Sequence, residues 1–210
     1  MGTMPASPRS EVPAPSWDEK RSLLAIAKKS IEEPERSRFG PEEWREHGIA
    51  LGRGLLIRPR GVFVTLDDEK DELRGCIGTL SASRELYLEI SKYAVAASKD
   101  DPRFPPVSPS ELKSLRIKIS ILSPDRPLAA PEEIRIGIDG VVLRHPSGTA
   151  VFLPEVALEL GWTARVLLDR LAMKAGLGPN SWSDPEARLC GFETISFGDR
   201  GMMSPEKAIQ

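Results

Sequence analysis

Residues capable of chemistry concentrate in Leu73-Arg74-Gly75-Cys76-Ile77-Gly78, which sets a guanidinium two positions from a thiol, among glycines. Read as a strand, its period-two alternation puts Leu73, Gly75 and Ile77 on one face and Arg74, Cys76 and Gly78 on the other. The apolar members face a core, and the opposite face carries the cation and the thiol. Glycine inside a strand marks a bulge or a close approach of ligand or backbone, so Gly75 and Gly78 predict cleared space around the sulfur. The thiolate is the reactive form of cysteine, and at a pKa near ~8.5 only about 3% of a free thiol is ionised at neutral pH. A cation raises that fraction. In an extended strand the Cα atoms of Arg74 and Cys76 are about 6.6 Å apart, so the guanidinium reaches either the sulfur or an anion bound beside it. The plainer alternative is a small buried Cys76, with Arg74 paired to the acidic loop before it.

A second candidate stretch is Asp101-Pro102-Arg103-Phe104. Pro102, Pro105, Pro106 and Pro109 fix backbone angles around it, and a stiff loop holding both charge signs after a helix suits a binding edge. The alternative is that Asp101 caps the loop and Arg103 pairs with it. Of the histidines, His47 reads as a surface residue. His145, before a tight turn, is placed to act as a general base, against the simpler account of an exposed turn residue. The acids between Asp67 and Glu72 lack the glycine of a calcium loop and read as a solvated hairpin tip, so no metal site is predicted.

Composition narrows the function classes. The 210 residues are 40% hydrophobic and 29% charged, ordinary for a globular protein. With 29 basic against 31 acidic residues the formal charge is only -2, which argues for neither a nucleic-acid-binding field nor a polyanionic surface. No apolar run is long enough to cross a bilayer and no secretory leader is recognisable, so the expectation is a cytoplasmic protein with no membrane partner. Cys76 and Cys190 are then expected as free thiols, too few for a structural zinc site. No phosphate-cradling glycine loop, dinucleotide fingerprint or clustered metal ligands are present, and no cofactor is predicted.

The elements that must position these residues follow from periodicity. Met1 to Pro15 reads as a disordered tail. Ser16 with Glu19 makes a capping box for a helix carrying Leu24, Ala27 and Ile31 and ending at Pro34. The charged stretch from Glu35 to Gly54 is irregular, anchored by Phe39 and Trp44, and precedes Leu55-Leu56-Ile57. Gly61 to Leu66 and Leu73 to Leu80 form a hairpin, and Leu86, Ile90, Tyr93, Ala94 and Ala97 mark a helix from about Ser83 to Ser98. A helical turn at Glu111 to Ser114 precedes a strand from Arg116 to Ser123. Ile134 to Ile138, an Asp139-Gly140 turn, Val141 to Arg144 and Thr149 to Leu153 predict a three-stranded meander. Pro154 to Leu160 is a short helix, Thr163 caps another that Gly176 ends, and Arg188 to Phe197 is a last strand. Trp162 and Trp182 read as core anchors. The final dozen residues read as a second tail.

These motifs, in this order, resemble the AMMECR proteins. The six-residue stretch at Leu73 is followed by Asp101-Pro102-Arg103-Phe104, Pro106-Val107, Glu111-Leu112, Leu153-Pro154, Gly161-Trp162 and Lys174-Ala175-Gly176-Leu177, covering about residues 17 to 198. Where the family tends to have a glycine-rich basic loop this chain has His145, and where it tends to have glutamine it has Glu155, so neither is carried over as a catalytic group. The expected fold is α+β: a mostly antiparallel sheet flanked by helices, residues 16–133 and 180–198, with a smaller meander-plus-helix lobe, 134–179, and an inter-lobe cleft. Two functions are expected. One is an enzyme or catalytic accessory subunit acting on a small, anionic substrate. In it Cys76 is the nucleophile or covalent carrier, Arg74 holds the anionic portion, and Gly75, Gly78, Asp101, Arg103 and Phe104 line the site. The other is a non-catalytic partner-binding module; the resemblance implies Memo-type and radical SAM proteins as its partners.

Overall fold

The computed structural model describes residues 14–51 and 58–199, so the expected tails fall almost wholly outside the described residues, as does Leu55-Leu56-Ile57. Two compact units are distinguished among the described residues, one of 14–121 with 195–199 and the other of 122–194. The fold is α+β, and its strands pair antiparallel wherever their register is defined.

In the first unit the hydrogen-bonded strand order is β2 (Leu73–Thr79), β1 (Val62–Asp67), β3 (Arg116–Leu122) and the end of β7 (Arg188–Gly198). Helix α1 (Trp17–Glu32) begins with the expected capping box, the Ser16 hydroxyl accepting from Glu19 N–H and the Glu19 carboxylate from Ser16 N–H. A 3₁₀ turn (Pro34–Arg38) and α2 (Pro41–Glu46) follow, the latter burying Trp44. Helix α3 (Leu86–Lys99) presents Leu86, Ile90, Ala94 and Ala97 at intervals of three and four, all buried. They pack with Val62, Val64 and Leu66 of β1 and Leu23, Ile26 and Ala27 of α1 in one core, where each fully buried leucine or isoleucine stabilises by about 1.5–3 kcal/mol.

In the second unit β5 (Asp139–His145) pairs with β6 (Gly148–Phe152) on one side and β7 on the other, and β4 (Arg126–Pro127) also pairs with β7. Helices α4 (Pro154–Glu159) and α5 (Ala164–Lys174) complete it. Thr163 caps α5 by accepting from Val166 N–H, and Gly176 follows it at φ 80°. Trp162 and Trp182 are packed at this core's margin, Trp182 donating to Asp169 at 2.8 Å. Residues 122–133 and 180–194 group with this unit because Arg126 and Pro127 face Gly191 and Cys190, and β7 runs beside β5.

The meander is corrected at its first strand. Ile134 to Ile138 forms no strand: Ile138 N–H and Asp139 N–H both donate to the Arg135 carbonyl, and Gly137 adopts φ 81°. The buried Asp139 carboxylate holds this turn, accepting from Arg135 N–H at 2.9 Å, Arg135 Nε at 3.0 Å and Nη2 at 2.6 Å, and Arg126 Nη2 at 2.9 Å. Asp139 and Gly140 then open β5 instead of turning a hairpin, the Phe192 ring filling the place a Gly140 Cβ would take.

Candidate functional site

The residues singled out around Cys76 lie on the sheet face of the first unit that is turned from its helices. Val62, Val64 and Leu66 point into the core, which leaves Phe63, Thr65 and Asp67 on the other face of β1. Register puts Cys76 of β2 and Lys118 of β3 on either side of Thr65, a row across three strands spaced about 4.8 Å apart. Thr65 is buried, and its hydroxyl lies 3.2 Å from Cys76 Sγ.

Alternation breaks at the start of β2. Leu66 faces Gly75 while Asp67 faces Leu73, so Arg74 is one residue too many for its partner strand. Such a bulge re-aims side chains. Leu73, expected in the core, is 41% exposed. Arg74 leaves the thiol and grips the proline-rich loop: its guanidinium donates to Glu111 Oε1 at 2.7 Å and Oε2 at 3.4 Å, and to the carbonyls of Pro105 at 2.8 Å and Pro106 at 3.3 Å. Arg74, followed by the Ser108 N–H and hydroxyl, holds the Glu111 carboxyl down to about 2. Arg74 is thus neither the cation beside the thiol nor a partner of the acidic loop; it fastens the loop of residues 100–111 to β2. Two of the loop acids are also in use, Asp68 accepting from Lys70 N–H and Glu72 N–H, and Asp71 pairing with Arg116.

The cation that contacts Cys76 in this network is Arg103. Asp101 is buried, and its carboxylate accepts from Cys76 N–H at 2.8 Å and from Arg103 N–H at 3.1 Å, Nε at 3.0 Å and Nη2 at 2.7 Å. Arg103 above all, with the Cys76 N–H behind it, lowers the Asp101 carboxyl to about 2 despite burial. Arg103 Nη2 also reaches the Cys76 carbonyl at 3.4 Å, and the guanidinium packs 5.4 Å from the Phe104 ring centroid. The plainer loop alternative is what the geometry shows: Asp101 caps the loop and pairs with Arg103, which stays 53% exposed with Nη1 donating to no described residue.

Burial pushes the Cys76 thiol above its usual range, and the Thr65 hydrogen bond, Arg103 and Lys118 pull against it without prevailing. Burial thus disfavours the thiolate, the reactive form of the sulfur. The glycines differ from expectation too. A Cβ at Gly75 would lie 2.1 Å from the Ala97 carbonyl oxygen of α3, and one at Gly78 2.2 Å from the Val62 carbonyl oxygen and 2.5 Å from Phe63 Cδ1. The room they leave is taken by the protein's own chain, so Gly75 and Gly78 serve close packing and open no ligand space. Lys118 was missed. Its signal is a lysine at a polar position of the alternating Arg116–Leu122 strand, but only register sets it beside Thr65.

The remaining candidates are elsewhere. His47 is exposed and stacked on Phe39, and Glu155 sits in the first turn of α4. His145, Asp184 and Glu186 bring possible ligand atoms within 4.8 Å of one another in the second unit. His145 Nδ1 accepts from Ser147 N–H, which leaves the ring proton on Nε2, and Arg144 and Arg188 line the same depression. That suits a histidine–carboxylate contact better than a cation site. Both cysteines are free, Cys190 accepting from Arg144 at 3.3 Å.

Comparison with known proteins places this geometry among relatives. The AMMECR1 family model matches residues 24–197. A protein of Methanothermobacter thermautotrophicus is 37% identical over 195 residues, covering 89% of this chain and 97% of its own. Protein MK0488 of Methanopyrus kandleri is 37% identical over 158 residues, 71% of this chain and 76% of its own. The crystal structure of the uncharacterized protein PH0010 from Pyrococcus horikoshii superposes with a TM-score of 0.72 at 29% identity, covering 88% of this chain and 92% of that one.

Proposed function

The chain belongs to the AMMECR1 family, and on that premise we propose that the β1–β3 face around Cys76 binds a small anionic ligand, a carboxylate or phosphate, with Arg103 as its clamp. The observation that carries this reading is the state of Arg103. A buried carboxylate fixes one edge of the guanidinium while half of the side chain stays in solvent with Nη1 uncommitted among the described residues. A guanidinium held rigid in this way binds an oxyanion with little further ordering cost. Lys118 adds positive potential from β3, and Thr65 and the Cys76 thiol supply short polar contacts at the floor. In this reading Cys76 orients a ligand and is not a thiolate nucleophile, and Arg74 acts only through the loop it fastens.

The test is titration with succinate and with glycerol phosphate in chloride buffer, followed by calorimetry and amide NMR shifts. Saturable binding that shifts Thr65, Cys76 and Arg103, and that Arg103→Ala weakens by about tenfold or more (roughly 1.4 kcal/mol), is expected. Absence of saturable binding for both compounds, or an Arg103→Ala protein that binds like wild type, overturns it.

One observation favours the partner-binding reading in the second unit. Ile138, Leu158 and Leu160 are 51%, 63% and 57% exposed, and the turn carrying Ile138 abuts Leu158 at Gly137. The Memo-type and radical SAM proteins implied by the family resemblance are the partners to try. Co-elution with either one that Leu158→Asp abolishes would support it, and no co-elution with either would remove it.

A further inference from the structure

The face that carries Thr65 and Lys118 runs into a cavity of about 330 Å³ lined by Asp67, Asp71, Arg116, Lys118, Ser196 and Asp199. All six residues belong to the first unit, and the cavity adjoins the proposed anion site through Lys118 and through β1, where Asp67 follows Thr65 by two positions. Three carboxylates and two cations line it, and most of that charge has partners. Arg116 pairs with Asp71 and donates to the Glu69 carbonyl. Both Asp199 oxygens lie 3.3 Å from Ile117 N–H. Asp67 differs. No hydrogen bond or ion pair among the described residues ends on its carboxylate, although it is half-buried and faces Arg116 in register.

We propose that this cavity receives a positively charged end of the same ligand, so that the substrate class is a small zwitterion whose carboxylate or phosphate meets Arg103 and whose ammonium group meets Asp67. The inference rests on the anion site proposed above. Burial first, then the neighbouring carboxylates of Asp71 and Asp68, push the Asp67 carboxyl up, with Lys118 and Arg116 only partly offsetting them. A carboxylate in that condition gains from an added cation, and a bound ammonium group supplies one without displacing any existing pair. Ser196 offers a hydroxyl acceptor, and Phe197 an apolar wall, within the same cavity. The spacing follows from strand geometry: Cys76, on which Arg103 is held, and Asp67 lie one strand (about 4.8 Å) and two residues (about 6.6 Å) apart, roughly 8 Å on the diagonal, which fits the longer end of a linker of about four to six carbons.

Calorimetric titration with 4-aminobutanoate and 6-aminohexanoate against butanoate and hexanoate tests this directly. At least one amino acid is expected to bind about tenfold more tightly than the alkanoate of equal length. Asp67→Asn should erase that ratio while keeping alkanoate affinity within about twofold, and Asp67→Glu, which keeps the charge, should retain a preference. Asp67 has no side-chain hydrogen bond to lose among the described residues, so an unchanged melting temperature is expected and shows that the variant is folded. Alkanoates binding as well as amino acids to wild type would overturn the zwitterion while leaving the anion site standing. Preference that survives in Asp67→Asn overturns it as well. If neither series binds, this inference fails, and titration with succinate and glycerol phosphate in the same buffer shows whether the anion site fails with it.

Discussion

Replacing Asp101 with asparagine tests the network that makes Arg103 a clamp. The substitution keeps the shape and removes the charge. Bringing the carboxyl from 3.8 to about 2 corresponds to about 2 kcal/mol of folded-state interaction, at roughly 1.4 kcal/mol per pH unit. The amide has a second cost. Oδ1 accepts two Arg103 donors and Oδ2 accepts Cys76 N–H and Arg103 Nη2, so whichever position takes the NH₂ group faces donors with a donor. One buried donor left unpaired costs about 1–3 kcal/mol. The two contributions share contacts and do not add in full, so a loss of about 3 kcal/mol is expected, or about 6–12 °C in melting temperature for a chain of this size. The pH dependence has a definite sign. The folded pKa lies below the unfolded one, so the Asp101 contribution is complete above about pH 4 and is lost as pH falls through about 2. The gap between wild type and Asp101→Asn, read from thermal melts, should stay constant from about pH 5 to 8 and close below about pH 4. An Asp101→Asn protein that melts within a degree or so of wild type at neutral pH, or a gap that persists in acid, would refute the reasoning.

Alkylation of Cys76 by iodoacetamide should be half-maximal at a higher pH than for free cysteine, because burial disfavours the thiolate; a midpoint below that of free cysteine would restore the nucleophile. Cys76→Ser keeps the contact with Thr65 and should lose under about 1 kcal/mol in urea melts, whereas a larger loss would mark the thiol as a core group. Gly75→Ala should destabilise by about 1–3 kcal/mol, since a methyl there meets the Ala97 carbonyl oxygen of α3; unchanged stability would show that α3 can move away freely.

How far the site was legible in the sequence varies residue by residue. The sequence singles out Asp101, Arg103 and Cys76, but it sets Arg74 beside the thiol where the structure sets Arg103. Arg74 is nearer to Cys76 in sequence, and an unbroken alternation would have put both on one face. The one-residue shift between Leu66 and Asp67 removed Arg74 from that face, and no residue type in the stretch announces where the extra residue falls. Gly75 and Gly78 do mark close approaches, but not the cleared space around the sulfur that the sequence predicts. What approaches is α3 at Gly75 and β1 at Gly78, and only the packed structure distinguishes a neighbouring backbone from a ligand. The lost strand at Ile134 to Ile138 has a related cause: Asp139 caps a turn using Arg126, thirteen residues away, and local strand propensity yields to that buried charge.

By itself the sequence determined what repeats within a few residues. The Ser16 capping box, the Leu86-Ile90-Ala94-Ala97 stripe, the Thr163 cap and the alternation of Ile117, Ile119 and Ile121 each satisfy a local backbone or burial requirement that any folded arrangement must meet. Tertiary structure alone decided the register that lines up Lys118, Thr65 and Cys76, the bulge that sends Arg74 to Glu111, and the reach of Asp101 across 25 residues to Cys76 N–H. Those outcomes depend on which distant groups remain unpaired once the core has closed. A buried amide such as Cys76 N–H must then find an acceptor wherever the chain has brought one, whatever its distance in sequence.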